Sequence, residues 1–211
     1  MIGTLPAVVL TGACAAVAIC ISPARFAAWI ATFAAAVAFV LVASALPLTS
    51  GGGFIVAPFW SALSLGIVGG LKLDGLSIVF ALLITGIGAL IFLYAGQCMK
   101  GSANLRRLMV LLAIFMTAML GAVLADDIIL LFVFWEITSI ASYLLVGMDS
   151  ANPHARKSAL KALLVTGGGG LALLAGLVLV SIAAGTTSLT GVILARDVVL
   201  THPAAVPAML L

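Results

Sequence analysis

Long apolar runs with few charges occupy most of the sequence, and this feature most limits what the chain can fold into. Of its 211 residues, 65% are hydrophobic and 7% are charged, which leaves too little polar surface to cover a water-facing globule. A helix needs about 20 predominantly apolar residues to cross the hydrocarbon core of a bilayer. The sequence therefore predicts an all-α polytopic membrane protein, folded as a helical bundle.

Six apolar segments have the length and composition of membrane-crossing helices, and another begins near the end of the sequence. The predicted helices are 5–21, 26–46, 75–96, 108–125, 128–147 and 163–184, and Pro203 opens the start of a seventh. The nine residues from Pro203 to Leu211 reach less than half of a core about 30 Å thick. We expect residues 1–211 to form a single membrane domain, an incomplete module that is either naturally split or truncated before its seventh helix finishes.

The segment from Phe54 to Leu71 is apolar enough to cross, but Pro58 and several glycines disfavour a helix. Cytoplasmic loops carry an excess of Lys and Arg, which provides a test. If this segment does not cross and the N-terminus is extracellular, seven basic residues lie inside and two outside. If it crosses, the orientation that puts more basic residues inside has six inside and three outside. The first division favours a short extracellular hairpin or surface segment. The seven residues are Arg25, Lys100, Arg106, Arg107, Arg156, Lys157 and Lys161.

Glu136 lies near the middle of the predicted 128–147 helix. As the ninth of twenty residues it is about 12 Å from one end, near the midplane, where a charge facing lipid costs at least about 2.5 to 3.5 kcal/mol. A carboxyl that faces neighbouring helices in a low-dielectric environment favours its neutral form, so it can bind and release a proton. Glu136 is therefore predicted to be a functional intramembrane acid, and the alternative is a packing carboxyl hydrogen-bonded between helices.

Hydroxyl side chains accompany Glu136 along the same helix. Ser139 and Tyr143 follow on its face, and Thr138 and Ser142 occupy the adjoining flank. A polar stripe that faces other helices can hold water. Ser139 and Tyr143 are therefore predicted to line a proton or ion path that includes Glu136.

The remaining charged candidates lie at predicted helix ends. Lys161, at the start of the 163–184 helix, is the basic residue closest to the bundle interior, and it either extends to the cytoplasmic interface or joins a proton relay. Asp126 and Asp127 are predicted to be solvated turn residues that begin a helix, with an ion-attracting mouth as the alternative. Asp74 is predicted to cap a helix and Lys72 to extend to the interface.

Sequence motifs for self-contained catalysis are absent. There is no nucleophile elbow, CxxC pair, dinucleotide fingerprint or HExxH motif, so we expect no enzyme activity, no cofactor and no metal site. The net charge of +3 is interpreted as orienting loops rather than binding nucleic acid. Two groups of small residues predict close helix packing. They are the glycine run 167–170 and the four-residue repeat of Ala113, Thr117, Gly121 and Ala125.

Two stretches resemble a known family. Leu73 to Tyr94, LDGLSIVFALLITGIGALIFLY, is similar to the third-helix signature of the antiporter-like subunits of Mrp-type cation/proton antiporters and respiratory complex I. Phe132 to Gly147, FVFWEITSIASYLLVG, resembles the fifth-helix signature, in the Mrp A-subunit form with FWE followed by TS. The GWEGVG-like pattern usual in the complex I protein is absent. The resemblance covers about 71–180 and includes the charged stretch and helix at 155–176.

The resemblance implies that the chain is the N-terminal part of an Mrp A-type subunit. It implies that Glu136 is the transport glutamate of the family, which pairs with a lysine on a seventh helix beyond this sequence. The implied substrates are Na⁺ and H⁺, and the implied location is the bacterial cytoplasmic membrane. The implied partners are membrane lipid and other Mrp-type subunits, including a chain that supplies the missing C-terminal helices.

Three functions stay open from the sequence. The favoured one is a subunit of a multisubunit Na⁺/H⁺ antiporter, a secondary transporter in which Glu136 contributes to the proton path. The second is a structural half-bundle that supports a partner chain, which predicts loss of assembly when Gly121 or Gly168 is enlarged. The third is a proton-pumping subunit in the membrane arm of complex I or a related hydrogenase, and the FWE and TS residues disfavour it.

Overall fold

A computed structural model describes residues 4–49, 54–62, 67–102, 104–149 and 151–210 of the chain, and it confirms a helical bundle. The elements are α1 (Thr4–Ile21), α2 (Ala24–Ser44), α3 (Leu46–Thr49), β1 (Ile55–Ala62), β2 (Ile67–Leu73), α4 (Gly75–Cys98), α5 (Leu105–Leu124), α6 (Ile128–Val146), α7 (Pro153–Ala184), α8 (Leu189–Leu194), α9 (Arg196–Thr201) and α10 (Ala205–Leu210).

Five helices in the described ranges, within α2, α4, α5, α6 and α7, are long and apolar enough to cross a membrane, and α1 contributes a shorter apolar helix. The helix α1 packs against α2 and α5, α2 against α4, α5 against α6, and α6 against α7. On α2 the buried face consists mainly of alanines at helical spacing, which lets the helix backbones approach closely. These are Ala27, Ala31, Ala35 and Ala38. Its opposite face exposes Trp29 and Phe33, as expected for contact with lipid.

The segment before α4, which is apolar enough to cross the membrane, forms an antiparallel β-hairpin in which Ile55 pairs with Leu73. This adds a two-stranded sheet to the predicted all-α fold and overturns the alternative of a spanning helix. The hairpin lies at the end of the bundle where α5 meets α6, because Leu71 forms a bridge to Ala125 and the Asp126 N–H donates to the Gly70 carbonyl. Lys72 therefore lies at this end, and the alternation of the helices puts the seven predicted basic residues at the opposite end.

The start of α4 agrees with the predicted cap. Asp74 accepts hydrogen bonds from the Leu76 and Ser77 backbone N–H groups, and the Asp74 N–H donates to Ser77 Oγ, which together form a capping box. The hydrogen bond from the Ser77 N–H is the main reason that the pKa of Asp74 lies below its usual value. Lys72 Nζ lies 3.6 Å from Asp74 Oδ2 and 5.2 Å from the ring centroid of Phe54, so it pairs locally.

The helix α7 begins ten residues earlier than the predicted 163–184 helix. Asn152 caps it by accepting from the His154 N–H, and Pro153 occupies its first turn. Its 32 residues span about 48 Å, more than a hydrocarbon core of about 30 Å. The basic first turns therefore extend beyond the core, and Lys161 lies in the third turn rather than the first. After α7, the predicted start of a seventh helix is preceded by the short helices α8 and α9 and corresponds to α10.

The small-residue repeat on α5 forms close helix contacts, as predicted. A Cβ built on Gly12 of α1 would overlap Thr117, and a Cβ on Gly121 would lie 2.5 Å from the ring of Phe134 on α6. The prediction for the glycine run is only partly confirmed. Within the described residues nothing lies within 4 Å of a Cβ built on Gly168, so its enlargement would meet open space.

We expect Gly121→Ala to lower the free energy of unfolding by about 1 to 3 kcal/mol, since the Phe134 ring must move. The control is Gly168→Ala, which gains helix propensity of up to about 1 kcal/mol without a clash. Thermal unfolding of the protein purified in detergent measures both variants. Equal midpoints for the two variants would contradict the tight α5–α6 contact.

Candidate functional site

The helix α6 holds Glu136 near its middle. Asp127 begins the helix by accepting hydrogen bonds from the Ile129 and Leu130 N–H groups through Oδ1. Glu136 is the ninth of the 19 residues of α6, about 12 Å from its start. The central position of this acid along an apolar helix is thus as the sequence predicts.

The carboxyl of Glu136 lies between α6 and α7. Its Oε1 atom is buried, and no hydrogen-bonding group in the described part of the chain reaches it. It lies directly against Gly170 of α7, where a Cβ would overlap it. A buried carboxyl oxygen without a partner costs about 1 to 3 kcal/mol or more, so this atom needs water or a group from outside the described residues.

A cleft of about 490 Å³ lies beside this carboxyl, between α5, α6 and α7. Trp135 and Gly170, which both adjoin Glu136, form part of its lining. Four of its nine lining residues carry hydroxyl groups. These are Thr138, Ser139, Ser142 and Thr166. On α6 the lining runs from Trp135 to Ser142, about 10 Å toward the end of the helix that carries the basic residues.

Three of the four hydroxyl groups of the cleft donate their hydrogens within their own helices. Thr138 Oγ1 donates to the Trp135 carbonyl at 2.6 Å, Ser139 Oγ donates to the same carbonyl at 3.3 Å, and Thr166 Oγ1 donates to the Ala162 carbonyl at 2.8 Å. Each oxygen then retains lone pairs that can accept a hydrogen bond. Such groups suit water molecules, an excess proton or a cation as occupants of the cleft.

The predicted path residues separate into two groups. Ser139 is buried and lines the cleft, together with its predicted neighbours Thr138 and Ser142. Tyr143 is half-buried and is not part of this lining. Thr166 is a lining residue that sequence reasoning misses, because the sequence does not give the rotation of α7 relative to α6. The available signal is its spacing of four residues before Gly170, which places both on one face of a helix.

Lys161 does not lie close to the Glu136 carboxyl. Nine residues separate it from Gly170 on α7, which at about 100° and 1.5 Å per residue puts it half a turn round and about 13 Å along the helix. Its side chain is exposed. Lys161 therefore has no direct contact with Glu136 through the face of α7 that carries Gly170.

Asp126 and Asp127 are buried, at 6% and 2% exposure, so the prediction of solvated turn residues is wrong. Asp126 Oδ1 accepts from the Thr190 N–H at 3.1 Å and from Thr190 Oγ1 at 2.5 Å, and Oδ2 accepts from Ser188 Oγ at 2.9 Å. Its carbonyl accepts from the Leu189 N–H at 2.6 Å. With its N–H bonded to the hairpin, Asp126 joins three segments. The junction is structural, and helix capping by Asp127 agrees with the sequence.

Comparison with family models matches two parts of the chain. Residues 60–119 match "NADH-Ubiquinone oxidoreductase (complex I), chain 5 N-terminus", and residues 125–210 match "NADH:quinone oxidoreductase/Mrp antiporter, TM". Together these regions contain most of the hairpin, α4, the α5–α6 junction and the Glu136 cleft.

Curated relatives are similar over most of this chain. The A subunit of the Na(+)/H(+) antiporter of Alkalihalophilus pseudofirmus is 40% identical over 184 residues, which are 87% of this chain and 23% of the relative. The A/B subunit of a probable K(+)/H(+) antiporter of Rhizobium meliloti is 39% identical over 175 residues, which are 83% of this chain and 18% of the relative. The chain thus spans about a fifth of the length of these relatives.

Solved structures share the fold. The Mrp complex from Dietzia sp. DQ12-45-1b contains a chain with a TM-score of 0.73 and 30% identity, covering 92% of this chain and 22% of that one. A chain of the archaeal membrane-bound sulfane sulfur reductase has a TM-score of 0.79, covering 99% of this chain and 42% of that one. At 20% identity the second likeness concerns the fold alone.

Proposed function

Because the chain belongs to the family of antiporter-like membrane proteins shared by Mrp antiporters and NADH:quinone oxidoreductase, we propose that it is part of a multisubunit cation/proton antiporter and that Glu136 carries protons in it. The observation that carries this proposal is the buried Oε1 of Glu136, which has no partner in the described part of the chain and lies beside a hydroxyl-lined cleft. A carboxyl in this position can accept a proton from one side of the membrane and release it to the other.

Na⁺ is the proposed counter-substrate, since one relative at 40% identity is named as part of a Na(+)/H(+) antiporter. K⁺ is the alternative, because another relative at 39% identity is named as part of a probable K(+)/H(+) antiporter. The proposed chemistry is secondary transport without a covalent step. In the proposed path Ser139, Thr138, Ser142 and Thr166 hold water beside Glu136, whereas Tyr143 and Lys161 would join only through groups that the described residues do not include.

The proposed partners are the other subunits of an Mrp-type antiporter, including helices that cover the open side of the cleft. The chain is a multi-pass membrane protein, and we place it in the bacterial cytoplasmic membrane. Its hairpin end is proposed to face outward, because the seven basic residues lie at the other end and cytoplasmic ends carry the excess of Lys and Arg. Cysteine accessibility at Phe54 and Lys100 to a membrane-impermeant reagent would test this orientation.

The antiport proposal is tested in everted membrane vesicles from cells that lack their own antiporters and express this chain with the other subunits. Respiration acidifies the vesicles, and a pH-sensitive dye follows the proton gradient. We expect Na⁺ to dissipate the gradient, or K⁺ if the alternative is correct, while choline has no effect. Vesicles that contain the assembled complex but respond to neither cation would contradict the proposal and favour a structural role.

A further inference from the structure

Gly170 differs from the other members of its glycine run. A Cβ on Gly170 would overlap Glu136 Oε1 and lie 3.4 Å from Glu136 Cδ and 3.7 Å from Trp135 Cδ1. By contrast, nothing in the described ranges lies within 4 Å of a Cβ built on Gly167, Gly168 or Gly169. Within this run, Gly170 is the position where Glu136 Oε1 occupies the space that a side chain would fill.

The contact with Gly170 fixes the position of the Glu136 carboxyl relative to the cleft. Gly170 is buried on α7 and lines the cleft, as does Trp135, which precedes Glu136. Gly170 therefore adjoins both the Glu136 carboxyl and the cleft. A larger side chain there would displace the Glu136 carboxyl from its place beside the cleft.

We infer that Gly170 is a positioning residue for Glu136: the space above its Cα holds the carboxyl at the edge of the cleft, where water in the cleft can exchange protons with it. This inference rests on the proposed function, since it concerns how the proposed proton carrier is placed. Proton transfer requires donor and acceptor about 2.6 to 3.2 Å apart, and a displacement of about 1 Å can reduce a rate by about 100-fold.

Gly170→Ala is the direct test, with Gly168→Ala as the matched control. Both substitutions make the same change on the same helix and raise its helix propensity equally, but only the first meets Glu136. In vesicles with equal amounts of assembled complex, we expect Gly170→Ala to reduce the exchange rate at least 10-fold and to change its pH dependence. Gly168→Ala should stay within about 2-fold of the parent at every pH.

A second pair of variants separates positioning from general damage. Glu136→Asp shortens the side chain by one methylene and withdraws the carboxyl from the space above Gly170. In that background we expect Gly170→Ala to have less than a 3-fold effect, because the two groups no longer meet. An effect of the same size in both backgrounds would overturn the inference.

A third readout is independent of transport. A hydrophobic carbodiimide modifies protonated carboxyls within membranes, and mass spectrometry of the α6 peptide measures how fast Glu136 reacts. We expect Gly170→Ala to change this rate several-fold and Gly168→Ala to leave it unchanged. If assembled Gly170→Ala is labelled and exchanges cations at the parental rates, the positioning role is overturned. The proposed function would still stand in that case, provided that Glu136→Gln is inactive in the same vesicles. An active Glu136→Gln would instead reject Glu136 as the proton carrier.

Discussion

Glu136→Gln is expected to abolish cation/proton exchange, lowering the rate at least 100-fold, to the level of vesicles without the complex. Glutamine has nearly the same size and shape as glutamic acid, so the packing against Gly170 is retained. It cannot bind or release a proton in the relevant range, however, and positioned acid–base groups typically contribute 10²- to 10⁴-fold. The measurement is the initial rate of cation-induced dissipation of the proton gradient, divided by the amount of assembled complex.

Asp149→Asn provides the matched control for this variant. It makes the same kind of change, from acid to amide, at an exposed residue just after α6. We expect it to retain the parental rate. Normal exchange by an assembled Glu136→Gln complex would contradict the role of this acid, and loss of the complex in Glu136→Gln alone would identify a structural role instead.

Asp126→Ala is expected to destabilise the fold more than Gly121→Ala or any of the glycine substitutions on α7. It removes three hydrogen bonds from Ser188 and Thr190 and leaves these half-buried donors unpaired at the junction of the hairpin, α6 and the segment after α7. Hydrogen bonds to charged groups contribute about 1.5 to 3 kcal/mol each, and their losses overlap, so we expect a decrease of about 3 kcal/mol. For a chain of this size that corresponds to roughly 6 to 12 °C in the unfolding midpoint.

Ser188→Ala separates this junction effect from a general effect of mutation. It removes one of the three donors to the Asp126 carboxyl and also the hydrogen bond from the Gly191 N–H to Ser188 Oγ, so a decrease of about 1 to 2 kcal/mol is expected. Thermal unfolding of the protein in detergent, followed by tryptophan fluorescence, measures both variants. A midpoint for Asp126→Ala within about 2 °C of the parent would contradict the stabilising role of the junction.

The number and order of the long apolar helices can be predicted because apolar length and turn residues determine them locally, whereas the short helices α3, α8 and α9 are not predicted. The limits of α4 and α6 agree with prediction to within two residues at their ends. The early start of α7 is not predicted, although Asn152 followed by Pro153 is a helix-start signal in the sequence. The basic residues after Pro153 suggest a loop, but lysine and arginine are good helix formers and can lie on a helix that extends beyond the bilayer.

The features that escape prediction depend on contacts between distant residues. Asp126 is buried because Ser188 and Thr190, more than 60 positions later, donate to it. The pairing of Glu136 with Gly170 depends on the rotation of α7 about its axis, which an apolar helix with small residues on several faces does not reveal. The sequence leaves two forms open for the segment before α4, a hairpin and a surface segment. Pro58 and the glycines argue against a helix but do not specify strand pairing.

The central claim is that Glu136 exchanges a proton while it lies between helices in the membrane. Infrared difference spectroscopy of the complex in lipid, recorded across the pH range in which exchange operates, measures this directly. The account predicts a reversible carboxylic-acid signal in the parent that is missing in Glu136→Gln and present in Asp149→Asn. A signal that is the same in the parent and in Glu136→Gln would contradict it.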